Sequence, residues 1–319
     1  MFFGTTVDEL LGYERELSRD QIRRYYHALA ARFAEEPFEA VMHESEEMVR
    51  QYYSCYPFLV QMCVLWMNHY MLSESVERQQ EILLLISKIC NHILTDCNDV
   101  EICKNVISIR AIADLQRGEP EKVIEALKGS MNPNHFTWNS ALLTQAYMMT
   151  GNTSGAEQSV QASMYCNMQE LLNGGVLMLM IYRQDRKRCA EIIRRMDKLV
   201  DTFEIARLNP NAAAGYYYQA AITLCIQEET EEVYERLETF AFLARRLLDE
   251  GVILHGDGFF NCLKEWFGEL DLGEEGVRNR KLIVESTVQA LGNPVFSILE
   301  DKERLARIKR IVQTGGNYA

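Results

Sequence analysis

Three turn-type residues at a fixed period constrain this chain more than any other feature. Gly118, Gly151 and Asp185 lie 33 and 34 residues apart (151 − 118 and 185 − 151). Around the middle one the frame is Leu143, Thr144 and Tyr147 before the turn, then Ala156 and Val160 after it. Leu143 and Tyr147 are four apart and share one face of a helix. Gly151 relieves the turn, and Ala156 lets a second helix approach closely. Val123 and Leu127 occupy the places of Ala156 and Val160 after Gly118. Leu177, Ile181 and Ala190 repeat the frame around Asp185, more loosely, because Arg194 stands where an apolar residue is expected. A helical hairpin repeated at this period cannot bury its apolar face alone, so the frame predicts stacked hairpins.

The rest of the chain reads the same way. Ser18 and Gln21 form a capping box ahead of Ile22, Tyr25, Tyr26, Leu29 and Phe33, an apolar stripe of helical period. Pro37 opens a second helix through Val41, Met48 and Tyr52, and Pro57 a third to about Met71. A fourth covers Val76 to Leu94, and a fifth runs from near Asp99 to Gly118. Pro120 starts the next, Pro133 interrupts the chain, and hairpins continue to Val312 before a frayed tail at Gly315-Gly316-Asn317. With only 6 prolines and 18 glycines, and no convincing strand alternation, the class is all-α. The expected architecture is a right-handed superhelix of antiparallel helical hairpins.

The Leu–Tyr–Gly–Ala spacing resembles the tetratricopeptide repeat. A second resemblance is carried by Phe2-Phe3-Gly4-Thr5-Thr6-Val7-Asp8-Glu9-Leu10-Leu11-Gly12. This stretch resembles the closing segment of the helix-turn-helix domain in bacterial regulators of the XRE family. Ser18 to Arg32, Tyr52-Tyr53-Ser54-Cys55-Tyr56-Pro57 and Gly118-Glu119-Pro120-Glu121-Lys122-Val123-Ile124 resemble the regulatory half of such proteins. The recognition helix that would precede Phe2 is not in the sequence. The resemblance therefore implies residues 1–17 as the remnant of a DNA-binding domain plus linker, 18–314 as a tetratricopeptide-like domain, and 315–319 as a disordered tail. It implies a ligand-sensing, dimerising domain that takes a peptide or small molecule in a concave groove. A stand-alone adaptor whose repeats bind another protein is the alternative.

The formal net charge of −13 opposes a phosphate backbone, so DNA is expected as a partner only through a helix-turn-helix domain. The basic runs Arg183-Arg186-Lys187-Arg188 and Lys302-Arg304-Arg307-Lys309-Arg310 read as solvated helix faces. Apolar stretches are too short to cross a membrane, and no signal peptide follows Met1. Nine cysteines without CxxC spacing read as reduced thiols of a cytoplasmic protein. No HExxH, GxSxG, Walker or GxGxxG pattern is present. The chain is therefore expected to be no enzyme and to need no cofactor. The acidic residues Glu44, Glu46 and Glu47 around His43 read as a hydrated helix face rather than a metal site.

Two sets of residues are candidates for binding. Asn105, Asn139 and Asn173 are spaced by 34 and 34 residues (139 − 105 and 173 − 139), so they are expected near the starts of first helices. A row of amides there could hold an extended peptide by its main chain, since each offers a donor and an acceptor. Phe259, Phe260, Trp266, Phe267 and Phe296, with Val295 and Leu299, are the candidate interface of a homodimer, being too many for one polar cap. Gly174-Gly175, inside a helical segment, marks close packing or a kink beside a ligand; Gly256-x-Gly258 reads as a loop. Of the aromatic groups Tyr52-Tyr53-x-x-Tyr56, Trp66 with Tyr70, and Tyr216-Tyr217-Tyr218, each is expected to bury at least one ring.

Overall fold

The structure, a computed structural model, describes residues 16–128, 139–250, 254–272 and 280–313. Those residues are all-α, with short 3-10 turns and no strand among them. The helix-turn-helix resemblance at residues 2–12, the break at Pro133 and the tail from Gly315 lie outside the described residues. The described residues fall into two compact units, one up to 128 and the other from 139 onward.

The first unit is built from α1 (Arg19–Arg32), α2 (Phe38–Gln51), α3 (Tyr56–His69), α4 (Val76–Asp96), α5 (Val100–Gln116) and α6 (Pro120–Leu127). The capping box forms as read: Ser18 Oγ accepts from Gln21 N–H, and Gln21 Oε1 accepts from Ser18 N–H at 2.8 Å. Ile22, Tyr26, Leu29 and Phe33 are buried on one face, and Tyr25 packs its ring against Tyr52 and Phe58. Apolar on nearly every side, α3 is the central helix of the unit. It contacts α1, α2, α4 and α5, so the first helices of successive hairpins, α1, α3 and α5, touch in series.

Helix α5 ends with Gly118 at φ +74°, where its N–H reaches Leu115 C=O and Glu119 N–H reaches Asp114 C=O at 2.9 Å. Gly151, again at φ +74°, closes α7 (Asn139–Met149) with the same pair of bonds, to Met148 and Tyr147. These are Schellman ends, in which the left-handed residue costs glycine nothing. The two glycines in the repeat frame thus mark two equivalent turns.

The third turn departs from the frame. Helix α8 (Thr153–Ile181) runs unbroken for 29 residues, so the second helix after Gly151 and the first helix before Asp185 are one. The reason lies in its core stripe. Tyr165, Met168, Leu172, Gly175 and Leu179 are buried at spacings of 3, 4, 3 and 4, in phase across the place where a turn was expected. No proline or glycine interrupts residues 161–173. The frame residues themselves lie off the core: Leu177 is 51% and Ile181 70% exposed, Ala190 is exposed, and Cys189 is buried in its stead.

Asp185 instead caps α9 (Arg186–Thr202), accepting from Arg188 N–H at 3.0 Å. The short α10 (Ile205–Leu208) leads into α11 (Pro210–Ile226) and α12 (Thr230–Glu250), the most extensively packed pair of the unit. Asp197 on α9 ties them together, taking Tyr216 O–H at 2.7 Å and both Arg236 Nη groups at 2.6 and 2.8 Å. α13 (Leu263–Gly268) packs on α8, while α14 (Arg280–Ala290) and α15 (Lys302–Gln313) pack on α12. No described helix is long and apolar enough to cross a membrane.

Candidate functional site: a groove between two helices of the second unit

A groove of about 990 Å³ runs between α8 and α9. Its residues follow from helical period. On α8 they are Glu170, Leu171, Gly174, Gly175 and Met178, with Tyr182 capping its end, spaced as one face of a helix. On α9 they are Lys187, Arg188, Glu191, Ile192, Arg195 and Met196, spaced likewise. Floor and wall are apolar: Ile192 and Met196 are buried, whereas Leu171 and Met178 stay substantially exposed within it. Its size is at the upper end of small-molecule and short-peptide sites, about 300–1,000 Å³.

The paired glycines serve two purposes here. A Cβ on Gly175 would lie 2.3 Å from Met196 Sδ and 2.5 Å from its Cγ, so the missing side chain is what lets Met196 seat on α8. Gly174, one residue earlier, has nothing within 4 Å of a Cβ position and leaves bare helix in the groove wall. Of the two readings of this pair, close packing holds at Gly175, and no kink interrupts α8 at Gly174, which leaves open surface instead. Gly174→Ala is accordingly expected to stabilise the unit by up to about 1 kcal/mol through helix propensity. Gly175→Val is expected to destabilise it by about 1–3 kcal/mol through overpacking. Urea denaturation of both variants checks the pair, and equal effects would show that Met196 is not seated there.

Charge is confined to the rim. Glu191 is held down to about 2 by its hydrogen bonds to Arg194 and Arg195, so it is ionised throughout the physiological range. Arg188 pairs with Asp185 at 3.1 Å and lies over the Tyr182 ring, 4.7 Å from its centroid. The basic run at 183–188 therefore supplies the mouth of the groove as well as a solvated surface. Arg186 bonds Glu229 of the next hairpin turn at 2.6 Å. The second basic run is engaged with the unit's own acids, Arg304 meeting Glu231 and Glu238 at 2.7 and 2.8 Å.

The asparagine row is not assembled as read. All three residues are exposed, and none lines this groove. Asn139 is the first residue of α7, whereas Asn105 lies within α5 of the first unit. Asn173 does not begin a helix but sits deep inside α8. Ser140, beside Asn139, meets Ser163 at 3.1 Å, and Asn173 lies 173 − 163 = 10 residues further on, about 15 Å along the helix. Equal sequence spacing fails to give equal position because the expected break before Asn173 never occurs.

The aromatic interface candidates are mostly core. Phe260 and Phe267 are 1% exposed, and Phe296 and Leu299 are buried with them. Tyr165 of α8 meets Phe260, Phe267 and Trp266 edge to face, with centroids 5.8, 5.3 and 6.3 Å away. Trp266 and Val295 are partly buried against the same core, and Phe259 alone is open, at 58%. Their number is explained by α13, the 3-10 turn at Pro294–Ile298 and α15 folding back over α8, α11 and α12.

Of the three-tyrosine run, Tyr216 is fully buried, and Tyr218 donates to Ala290 C=O at 3.0 Å. The acidic residues near His43 are taken up by arginines: Glu44 with Arg32, Glu46 with Arg78, and Glu47 with Arg50. Among the described residues no three His, Cys, Asp or Glu side chains gather as a metal site. Sequence reasoning missed the groove itself, although Gly174-Gly175 and the basic run at its mouth were both legible. No protein-family model, curated protein or solved structure matches the chain.

Proposed function

We propose that this chain is the effector-binding and protein-interaction part of a bacterial regulator of the XRE type, and that it takes a short apolar peptide in the groove between α8 and α9. The observation that carries the reading is the groove's division of labour. An apolar floor of Leu171, Met178, Ile192 and Met196 suits aliphatic side chains, and a rim of both charge signs suits peptide ends. Methionines adapt their shape to different apolar partners, as a sensor of variable peptides requires. DNA contact belongs, in this reading, to a helix-turn-helix domain and not to these helices. Self-association, also part of the reading, would use surfaces other than the buried Phe260, Phe267 and Phe296.

Equilibrium dialysis of a pool of short leucine- and phenylalanine-containing peptides against the purified chain tests the proposal. Wild type is expected to retain a subset. Gly174→Leu, which has room to fold but fills the wall, and Met178→Glu, which charges it, are expected to release that subset by about tenfold or more. A pool from which nothing is retained, or one held equally by wild type and both variants, rejects the groove as the site.

A further inference from the structure

A second pocket, in the first unit and independent of the groove, carries the opposite chemistry. It encloses about 450 Å³ between α4, α5 and α6. Lys88 comes from α4, Arg110 from α5, Arg117 from the residue that caps the end of α5, and Lys122 from α6. Four cations thus converge from three helices on one pocket of a chain whose net charge is −13. Two carboxylates line it as well, Asp114 and Glu125, so the pairing of each charge decides what remains.

Asp114 is buried and already engaged. It accepts from Ser87 Oγ at 3.1 Å and lies 3.8 Å from Arg117, which also meets Glu119 at 3.2 Å. Lys122 is bonded to Glu119 at 2.7 Å. Lys88 and Arg110 differ: among the described residues neither has a carboxylate within 4.0 Å. Arg110 is instead held by a neutral amide, its Nη1 donating to Asn91 Oδ1 at 2.9 Å. That bond fixes the guanidinium without neutralising it and leaves most of its five N–H donors available. A positioned arginine beside a flexible lysine is suited to a compact polyanion, the arginine binding two oxygens at once and the lysine acting as a point charge. Glu125, exposed on α6, opposes such a ligand.

We infer that this pocket binds a small phosphorylated molecule, with Arg110 and Lys88 as its phosphate ligands and Asn91 positioning Arg110. The convergence of cationic side chains, which the groove floor in the second unit lacks, separates this site from that groove. Because the attraction is between charges at a partly open surface, it weakens as salt rises.

Titration calorimetry with pyrophosphate as the probe, on the full chain at low ionic strength, tests the inference. Succinate serves as the carboxylate comparison. Pyrophosphate is expected to bind, with Arg110→Gln and Lys88→Gln each weakening it by about tenfold or more, a typical loss for a charged hydrogen bond. Glu125→Gln is expected to tighten it. Circular dichroism of the three variants confirms that they are folded, which is expected because Lys88 and Glu125 are exposed and Arg110 bonds only Asn91. No heat with pyrophosphate in the millimolar range, or binding that all three substitutions leave unchanged, overturns the inference. Succinate binding as tightly as pyrophosphate overturns the phosphate assignment.

Discussion

Trp66→Ala is expected to destabilise the first unit by about 4 kcal/mol, the range for emptying a fully buried tryptophan site. Trp66 lies on α3, is fully enclosed, and is among the largest buried side chains of the chain. Its loss removes apolar contact and also strands a polar pair. Trp66 Nε1–H donates to Ser45 Oγ at 2.8 Å, and Ser45 Oγ–H in turn donates to Met42 C=O at 2.7 Å. Without the indole, Ser45 keeps its donor bond but loses the donor it accepts from, in a position closed to water. Trp66→Phe should therefore cost less than Trp66→Ala but more than volume alone explains. Adding Ser45→Ala to Trp66→Phe should recover part of the difference, because removing both partners of a buried bond is cheaper than removing one. Urea denaturation followed by far-ultraviolet circular dichroism measures all four proteins. A loss below about 1 kcal/mol for Trp66→Ala would mean that the ring is not enclosed as described.

Local signals were legible in the sequence; signals that depend on where the chain turns were not. The capping box at Ser18 and Gln21 and the left-handed glycines at 118 and 151 need only their own neighbours, and they form as read. Helix α8 shows the limit. Its frame residues Leu177, Ile181 and Ala190 matched the repeat spacing, yet the buried stripe runs through Tyr165, Met168, Leu172, Gly175 and Leu179. A stripe of constant phase keeps a helix intact whatever a longer period suggests, and it decided against the turn. The asparagine row inherited the same error: the turn at Asp185 from which Asn173 was counted forms, but the helix start expected near Asn173 does not. The aromatic cluster at 259–299 fails for another reason: how α13, α14 and α15 fold back is a tertiary matter that hydrophobic count cannot reveal. The groove was half legible. Two adjacent glycines in a helix announced a special surface, but its other wall is α9, and only the packing of α8 on α9 joins Leu171 and Met178 to Ile192 and Met196.

Gly256 carries the other large effect: Gly256→Ala is expected to destabilise the second unit by about 3 kcal/mol, while Gly258→Ala stays near neutral. A Cβ on Gly256 would sit 1.9 Å from Phe260 O and 3.1 Å from Phe260 C. Both are backbone atoms, so no rotamer change relieves the clash and the loop itself must open. That loop is tightly bonded. Asp257 N–H donates to Phe260 C=O at 3.2 Å, and Asp257 Oδ1 accepts from Phe259 N–H at 2.8 Å and Phe260 N–H at 2.7 Å. Arg207 approaches the other carboxylate oxygen at 3.3 Å. Opening it withdraws Phe260 from its contacts with Tyr165 and Phe203, which adds lost burial to strain of about 1–3 kcal/mol. Gly258 has nothing within 4 Å of a Cβ position, so its substitution controls for a general effect of altering the loop. The same bonds set a pH dependence. Burial alone would raise the Asp257 pKa, but the Phe260 and Phe259 N–H groups and Arg207 outweigh it and hold the carboxyl below its ordinary value. A group depressed in the folded state contributes stability above its unfolded pKa, about 3.9, and loses it as pH falls through the folded one. Wild type should therefore keep this contribution at neutral pH and shed it only below about pH 4, whereas Asp257→Asn should lack that part of the acid dependence. Urea midpoints across acid and neutral pH measure both effects. Equal midpoints for Gly256→Ala and Gly258→Ala, or an unchanged acid limb in Asp257→Asn, would show that the turn does not hold Phe260 in the core.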